Sequence, residues 1–482
     1  MSFVPHAPAC PGPLTRRRFL EVGALGVGGL GLSDLYRMQA MAATPPAPPS
    51  EGGDAVRGAT DTAVIFVWLP GGPPHQETYD MKPEAPSDYR GIFHPIHTNV
   101  PGLDVCEHLP LHAKVADKYS LIRSVAHTFA DHGGGHKRFM TGRDPLQPVD
   151  FVNDYPAVPS MATKCRERRN VGVPNYVNIV DGGREGIDVF SFGSAYLGPE
   201  THPFAVVGDP SAEKFEIKNL SLAPEMAGKL DDRQRLLAGL DNLRRAVDRN
   251  GTMNAIDEFN KRALDLLTGA KARNAFDISQ EPAAIRDRYG RHAWGQRAIM
   301  ARRLVEAGVS WVTVVMENPS PSKPMPKYCV YNWDSHAVNC HLFDDFLFRA
   351  PFYDQAITAL IEDIYARGLD KKVLLVVTGE FGRTPRINPA IGTQTGVMQP
   401  GRDHWPLAMS ILISGGGLKT GVVVGSTNAK AEHPKDRPLA PNDLWATVFR
   451  HLGIDALDTS FPDHRGRPLP ILPYGQPIAE LV

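Results

Sequence analysis

The run Lys372-Val373-Leu374-Leu375-Val376-Val377-Thr378-Gly379-Glu380-Phe381-Gly382-Arg383 reads as a buried strand that stops at a glycine-bracketed acid. An unbroken apolar and β-branched series, bounded by lysines and glycines, fits an interior strand covered on both faces, as in a parallel sheet. In such sheets ligands sit beyond the carboxyl ends of the strands, where Glu380 stands. Gly379 and Gly382 let the backbone bend around it. The competing reading is a solvated glutamate on a surface turn, and the strand ends elsewhere in the chain choose between the two.

Such ends recur. Thr62 to Leu69 is a second buried strand and runs into Pro70-Gly71-Gly72-Pro73-Pro74-His75; Tyr119 to Val125 leads to the segment His127 to His136. Tyr176 to Val180 precedes Asp181-Gly182-Gly183. A helix from Trp294 to Ala307, stopped by Gly308, feeds a strand from Ser310 to Met316 and then the loop Asn332-Trp333-Asp334-Ser335-His336. A helix from Phe352 to Arg367 precedes the opening strand. Beyond it come Gly401-Arg402-Asp403-His404-Trp405, a strand from Leu407 to Ile413, a hairpin-like Ser414 to Gly425 and a helix from Pro441 to Leu452. Lys137 to Thr141 reads as the start of a helix ending at Gly142, and residues 211 to 290 as a mostly helical insertion. This alternation predicts an α/β fold, a three-layer sandwich around a mainly parallel mixed sheet.

A chain of 482 residues with 42% hydrophobic content can bury a large core, and its formal net charge of -1 gives no global attraction to nucleic acid or anionic surfaces. Thr15-Arg16-Arg17-Arg18-Phe19-Leu20, followed by a short glycine-rich apolar segment and Ala40-Met41-Ala42, reads as a twin-arginine signal peptide over residues 1–42. Residues 43–60 read as a flexible linker to a domain at 61–482. The expected partner is the twin-arginine export machinery, and the expected location is periplasmic or extracellular, with no stable membrane span in the mature chain. The cysteines form no CxxC pair, which argues against a cysteine zinc site. Cys329 and Cys340 read either as a bridge across a short loop or as free buried thiols.

Five polar loops stand beyond predicted strands: His75 to Asp80, Asp131 to His136, Asp334 to His336, Glu380, and Asp403-His404. Carboxylate oxygens and imidazole nitrogens together suit a divalent metal, whether Zn, Mn, Ca or Mg. The candidate ligands are His75, Asp334, His336, Glu380 and His404. His127, His132 and His136, set around three glycines, read equally as a binding cluster or as a solvated loop. His132 and His136 are candidates for general acid or base, and Arg383, Asp403 and Lys137 for contact with the substrate.

Leu69 to His75, Gly290-Arg291-His292, Ala301 to Gly308, Trp333 to His336, Thr378 to Pro385 and Gly401 to Trp405 together resemble the exported bacterial family of domain of unknown function 1501. That family is similar to the alkaline phosphatase and sulfatase superfamily. The resemblance implies an alkaline-phosphatase-like fold and a metal-dependent hydrolase acting on small-molecule or glycan esters of phosphate or sulfate. It also implies that Glu380, Asp334, His336 and His404 match metal-binding positions, whereas Phe381 replaces a ligand. Lys137 to Arg143 resembles the tail of the sulfatase signature, which puts His132 at the nucleophile position. A second implied reading is a non-catalytic metal- or ligand-binding protein on a degenerate fold.

Overall fold

A computed structural model describes residues 61–166, 172–181, 192–217 and 269–482. The expected leader, linker and most of the helical insertion lie outside the described residues. The strands of the central sheet, numbered in chain order, are β1 (Ala63–Trp68), β2 (Tyr119–Val125), β3 (Tyr176–Val180), β4 (Phe204–Val207), β5 (Trp311–Val315), β6 (Val373–Thr378), β7 (Met409–Gly415) and β8 (Val423–Val424). Their spatial order is β8-β2-β7-β6-β1-β5-β3-β4.

Strand β1 lies near the centre of the sheet, parallel to β5 and β6. Every residue of β1 is buried. The side chains alternate between faces, as the period of two requires. Ala63, Ile65 and Val67 enter one core with helices α3 (Ala293–Glu306) and α4 (Leu342–Ala366). Val64, Phe66 and Trp68 enter the other, with α1 (His132–Thr141), α2 (Val158–Cys165) and α5 (Pro441–His451). The molecule therefore has the three layers expected. Strand β7 runs antiparallel to both β6 and β2, which makes the sheet mixed. That reversal brings the chain entering β7 to the same edge as the exits of β1, β2 and β6.

Strand β4, which pairs parallel to β3, goes unread in the sequence, and three further elements differ from the sequence reading. The segment after β7 is not a hairpin with it: β8 pairs parallel to the far side of β2. Helix α4 starts ten residues before the expected Phe352 and carries Pro351 in its interior. Pro351 and Leu347, whose carbonyl it deprives of a donor, both lie on the exposed face of the helix. Helix α1 starts at His132 rather than near Lys137, so its three glycines are helical and not part of a solvated loop. Cys329 and Cys340 are free and buried, which decides between the two readings of that pair. No helix among the described residues is long and apolar enough to cross a membrane.

Candidate metal centre

Four loops meet at the C-terminal edge of the sheet. Strand β1 turns out through Gly71 and Gly72, both at positive φ (107° and 85°). A Cβ on Gly71 would strike the backbone of Trp333 and Asp334 at 2.5 to 2.9 Å, so only glycine lets the 333–336 loop close on this turn. Arg383 fastens the loops together. Its buried guanidinium donates to Gly72 O at 2.8 Å, to the carbonyls of Trp333 and Arg402 at 3.1 Å and to Asp334 Oδ1 at 2.7 Å, and also to Gly71 O.

Three imidazoles are then held in one sense. The Asp131 carboxylate caps α1 by accepting from Gly133 N at 2.9 Å and places His132 in the first turn. His132 Nδ1 donates to Glu380 Oε1 at 2.8 Å, His336 Nδ1 to Asp403 Oδ1 at 2.7 Å, and His404 Nδ1 to Ala130 O at 2.6 Å. Each partner only accepts, so each Nδ1 carries a proton, and in the neutral ring the lone pair is then on Nε2. All three Nε2 atoms face Asp334 Oδ1, at 3.4, 3.0 and 3.1 Å respectively. The Nε2 atoms of His336 and His404 stand 2.8 Å apart.

Among the described residues, the ligand atoms of His132, Asp334 and His404 all lie within 4.8 Å of one another, close enough to share an ion, and His336 adjoins them through Asp334 and His404. With the rings neutral, imidazole lone pairs and a carboxylate oxygen at these spacings repel one another unless positive charge, a cation or a proton on His132, sits among them. The donor set therefore fits a metal, and the acceptor behind each Nδ1 is the usual support of a metal-bound histidine. The four side chains are 16 to 27% exposed, so the cluster faces solvent along one side. Phe381 forms an apolar wall, its ring centroid 4.5 Å from that of His404 and 5.4 Å from that of His132.

Residues 61–482 match the family model described as protein of unknown function (DUF1501). The chain belongs to that family. No curated protein matches it. Among solved structures, the phosphonate monoester hydrolase SpPMH from Silicibacter pomeroyi is 14% identical with a TM-score of 0.35, covering 83% of this chain and 74% of its own. PsFucS1 sulfatase from Pseudoalteromonas sp. is 13% identical with a TM-score of 0.33, covering 90% and 72%. A protein in the alkaline phosphatase superfamily from Vibrio parahaemolyticus is 10% identical with a TM-score of 0.35, covering 92% and 77%.

In this DUF1501 chain the site differs from the sequence reading in several places. Glu380 is not aimed at the shared donor point. Its Oε1 accepts from Gly71 N and His132 Nδ1, both at 2.8 Å, so it supports His132 from behind. His75 is 1% exposed and turned away, with Nε2 3.3 Å from Ala431 O and Nδ1 accepting from Arg383 N at 3.4 Å. His136 is also buried, 3.5 Å from Glu380 Oε1 and edge-on to Trp68, and has no open face for a substrate. Lys137 is spent on Gln147 O and Asp150, because the 147–154 loop folds over the start of α1. Each guanidinium nitrogen of Arg383 donates to a protein group, so this buried side chain positions loops. Asp403 orients His336, not its neighbour His404. Ala130 O and the Gly71 amide are main-chain groups, and no side-chain pattern announces them.

Electrostatics follow from this wiring. Burial raises the Glu380 carboxyl, but the charge of His136 and the His132 hydrogen bond outweigh it and hold Glu380 well below the carboxylate range. Burial likewise opposes ionisation of Asp334, and its bonds to His132, His336 and His404 together with the Arg383 charge overcome that. Burial lowers His132, yet Asp334 and Glu380 prevail and push it up to about 9. Both carboxylates are thus ionised and seek positive charge. A cavity of about 730 Å³ borders Asp403, walled by Tyr89, Asn388, Trp405 and His433.

Proposed function

We propose that the protein is a metal-dependent hydrolase of phosphate or sulfate esters, exported by the twin-arginine route and working outside the cytoplasm. The observation that supports this most directly is the aiming of three Nε2 atoms at Asp334 Oδ1, with every Nδ1 tied to an acceptor. Asp334, His336 and His404 would hold the ion. A divalent ion there supplies Lewis acidity toward an anionic ester and toward water. The chain's own groups prepare the place: Arg383 keeps Asp334 fixed, Asp403 fixes the His336 ring, and Phe381 keeps water off one side. The cavity beside Asp403 has room for the organic part of an ester, with Trp405 and Tyr89 as flat surfaces for it.

Elemental analysis of freshly purified, unchelated protein tests the reading. The expected result is stoichiometric divalent metal that His404→Ala loses, with turnover on a panel of phosphate and sulfate esters. Protein without metal overturns it. Metal without turnover across the panel supports instead a binding protein on the same fold, a reading kept in view because His132, not a hydroxyl or thiol, opens α1. Fractionation of cells carrying Arg16→Lys and Arg17→Lys tests export, the expected result being retention in the cytoplasm.

A further inference from the structure

We infer that His132 is a fourth metal ligand rather than a nucleophile, and that the three imidazoles with Asp334 make a nitrogen-rich site for one Zn²⁺-class ion in preference to Ca²⁺ or Mg²⁺. The inference rests on the metal reading above and adds to it a role for His132 and a class of ion.

Three observations carry it. First, His132 is mounted as the other two imidazoles are. Its Nδ1 is held at 2.8 Å by Glu380 Oε1, and that oxygen is itself fixed by Gly71 N at 2.8 Å. A buried carboxylate behind Nδ1 orients a ligating histidine and raises its basicity. Second, the spacing suits a shared ion. With bonds of about 2.1 Å, the donors of a four-coordinate site stand about 3.4 Å apart. His132 Nε2 lies 3.4 Å from Asp334 Oδ1, His336 and His404 Nε2 lie 3.0 and 3.1 Å from the same oxygen, and those two nitrogens stand 2.8 Å apart. The His132 and His404 rings meet edge to face at 4.2 Å between centroids, and their ligand atoms with that of Asp334 all lie within 4.8 Å of one another. Third, the chemistry of the donors is selective. Ca²⁺ seeks roughly 6–8 oxygen ligands and Mg²⁺ an oxygen-rich octahedron. Three imidazoles and one carboxylate are the donors of Zn²⁺ and its first-row neighbours. Glu380, the oxygen donor that would have shifted the balance, is turned to the back of His132.

The test uses the full folded protein, stripped of metal and exposed to equimolar Zn²⁺, Mn²⁺, Ca²⁺ and Mg²⁺, with bound ions counted by mass spectrometry. Co²⁺ titration of the same material reads the coordination through its visible bands. Expected are one Zn²⁺ per chain, selection of Mn²⁺ counting against the inference as selection of Ca²⁺ or Mg²⁺ does, and the intense bands of a four-coordinate Co²⁺ site. His132→Ala should bind Co²⁺ at least 10-fold more weakly with altered bands, and free imidazole should restore them. Glu380→Gln should weaken binding by about 10–100-fold through loss of the support behind Nδ1. Circular dichroism checks that the variants fold. If His132→Ala keeps wild-type affinity and bands, or if Ca²⁺ or Mg²⁺ is selected, this inference is overturned while the metal reading stands. The weak bands of six-coordinate Co²⁺ in the wild type would also overturn it, whatever the variants do. A wild-type protein that takes up no metal overturns both.

Discussion

At the scale of single residues, Arg383 shows how a side chain can matter to a site without touching its ligand. Its guanidinium joins the turn after β1, the 333–336 loop and the 402–404 loop, and it balances the charge of Asp334. Arg383→Met leaves those acceptors buried without a donor, and urea titration should show a loss of about 3–5 kcal/mol, with metal content falling in parallel. Gly134 makes a second case. In an exposed helix, glycine to alanine gains up to about 1 kcal/mol, but here the added Cβ would lie 2.5 Å from Pro148 O. Gly134→Ala should therefore destabilise, by about 1–3 kcal/mol in a thermal melt, and a gain would show that the 147–154 loop yields easily.

Helix α1 is the element on which the site turns, and also the one the sequence conceals best. Three glycines in its first turn read as a loop because glycine is a poor helix former. Close neighbours require them: Asp150 O against Gly133, Pro148 O against Gly134 and the Phe381 ring against Gly135. The local signal was the Asp131 cap. Asp131→Ala should cost about 1 kcal/mol and loosen His132, which a weaker Co²⁺ affinity would report. Six of the eight central strands, by contrast, were legible to within about two residues, because buried strands read as short apolar, β-branched runs bounded by turn residues, whereas Phe204–Val207 and the two-residue Val423–Val424 are too short to stand out. Asp334, His336 and His404 were legible as donors at strand ends. Not legible were the facing of Glu380, decided by a main-chain amide 309 residues away, and the inward packing of His75 and His136.

For the molecule as a whole, buried neutral histidines set the response to acid. Burial holds His292 at about 4, against a slight opposing pull from Asp209, and His75 and His127 are likewise held at about 4. The native state refuses a proton that the unfolded chain takes up below pH 6.5. The contribution of these three is therefore complete above pH 6.5 and falls as the pH drops toward 4, by on the order of 3 kcal/mol per histidine. His292 also caps α3, accepting from Gly295 N at 3.3 Å. Asparagine can keep that cap without titrating, so His292→Asn should flatten the acid limb of a stability-against-pH curve by about one proton. An unchanged slope would place the acid sensitivity elsewhere.

The central position of β1 has a consequence for how the protein is made. Its partners β5 and β6 are encoded far downstream, and the Gly71 amide waits 309 residues for Glu380. At roughly 5–20 residues per second, a ribosome needs about 15–60 s to cover that distance. Through that interval the apolar hexapeptide Ala63 to Trp68 lacks both of its sheet partners, and the candidate ion site can assemble only after synthesis has passed His404.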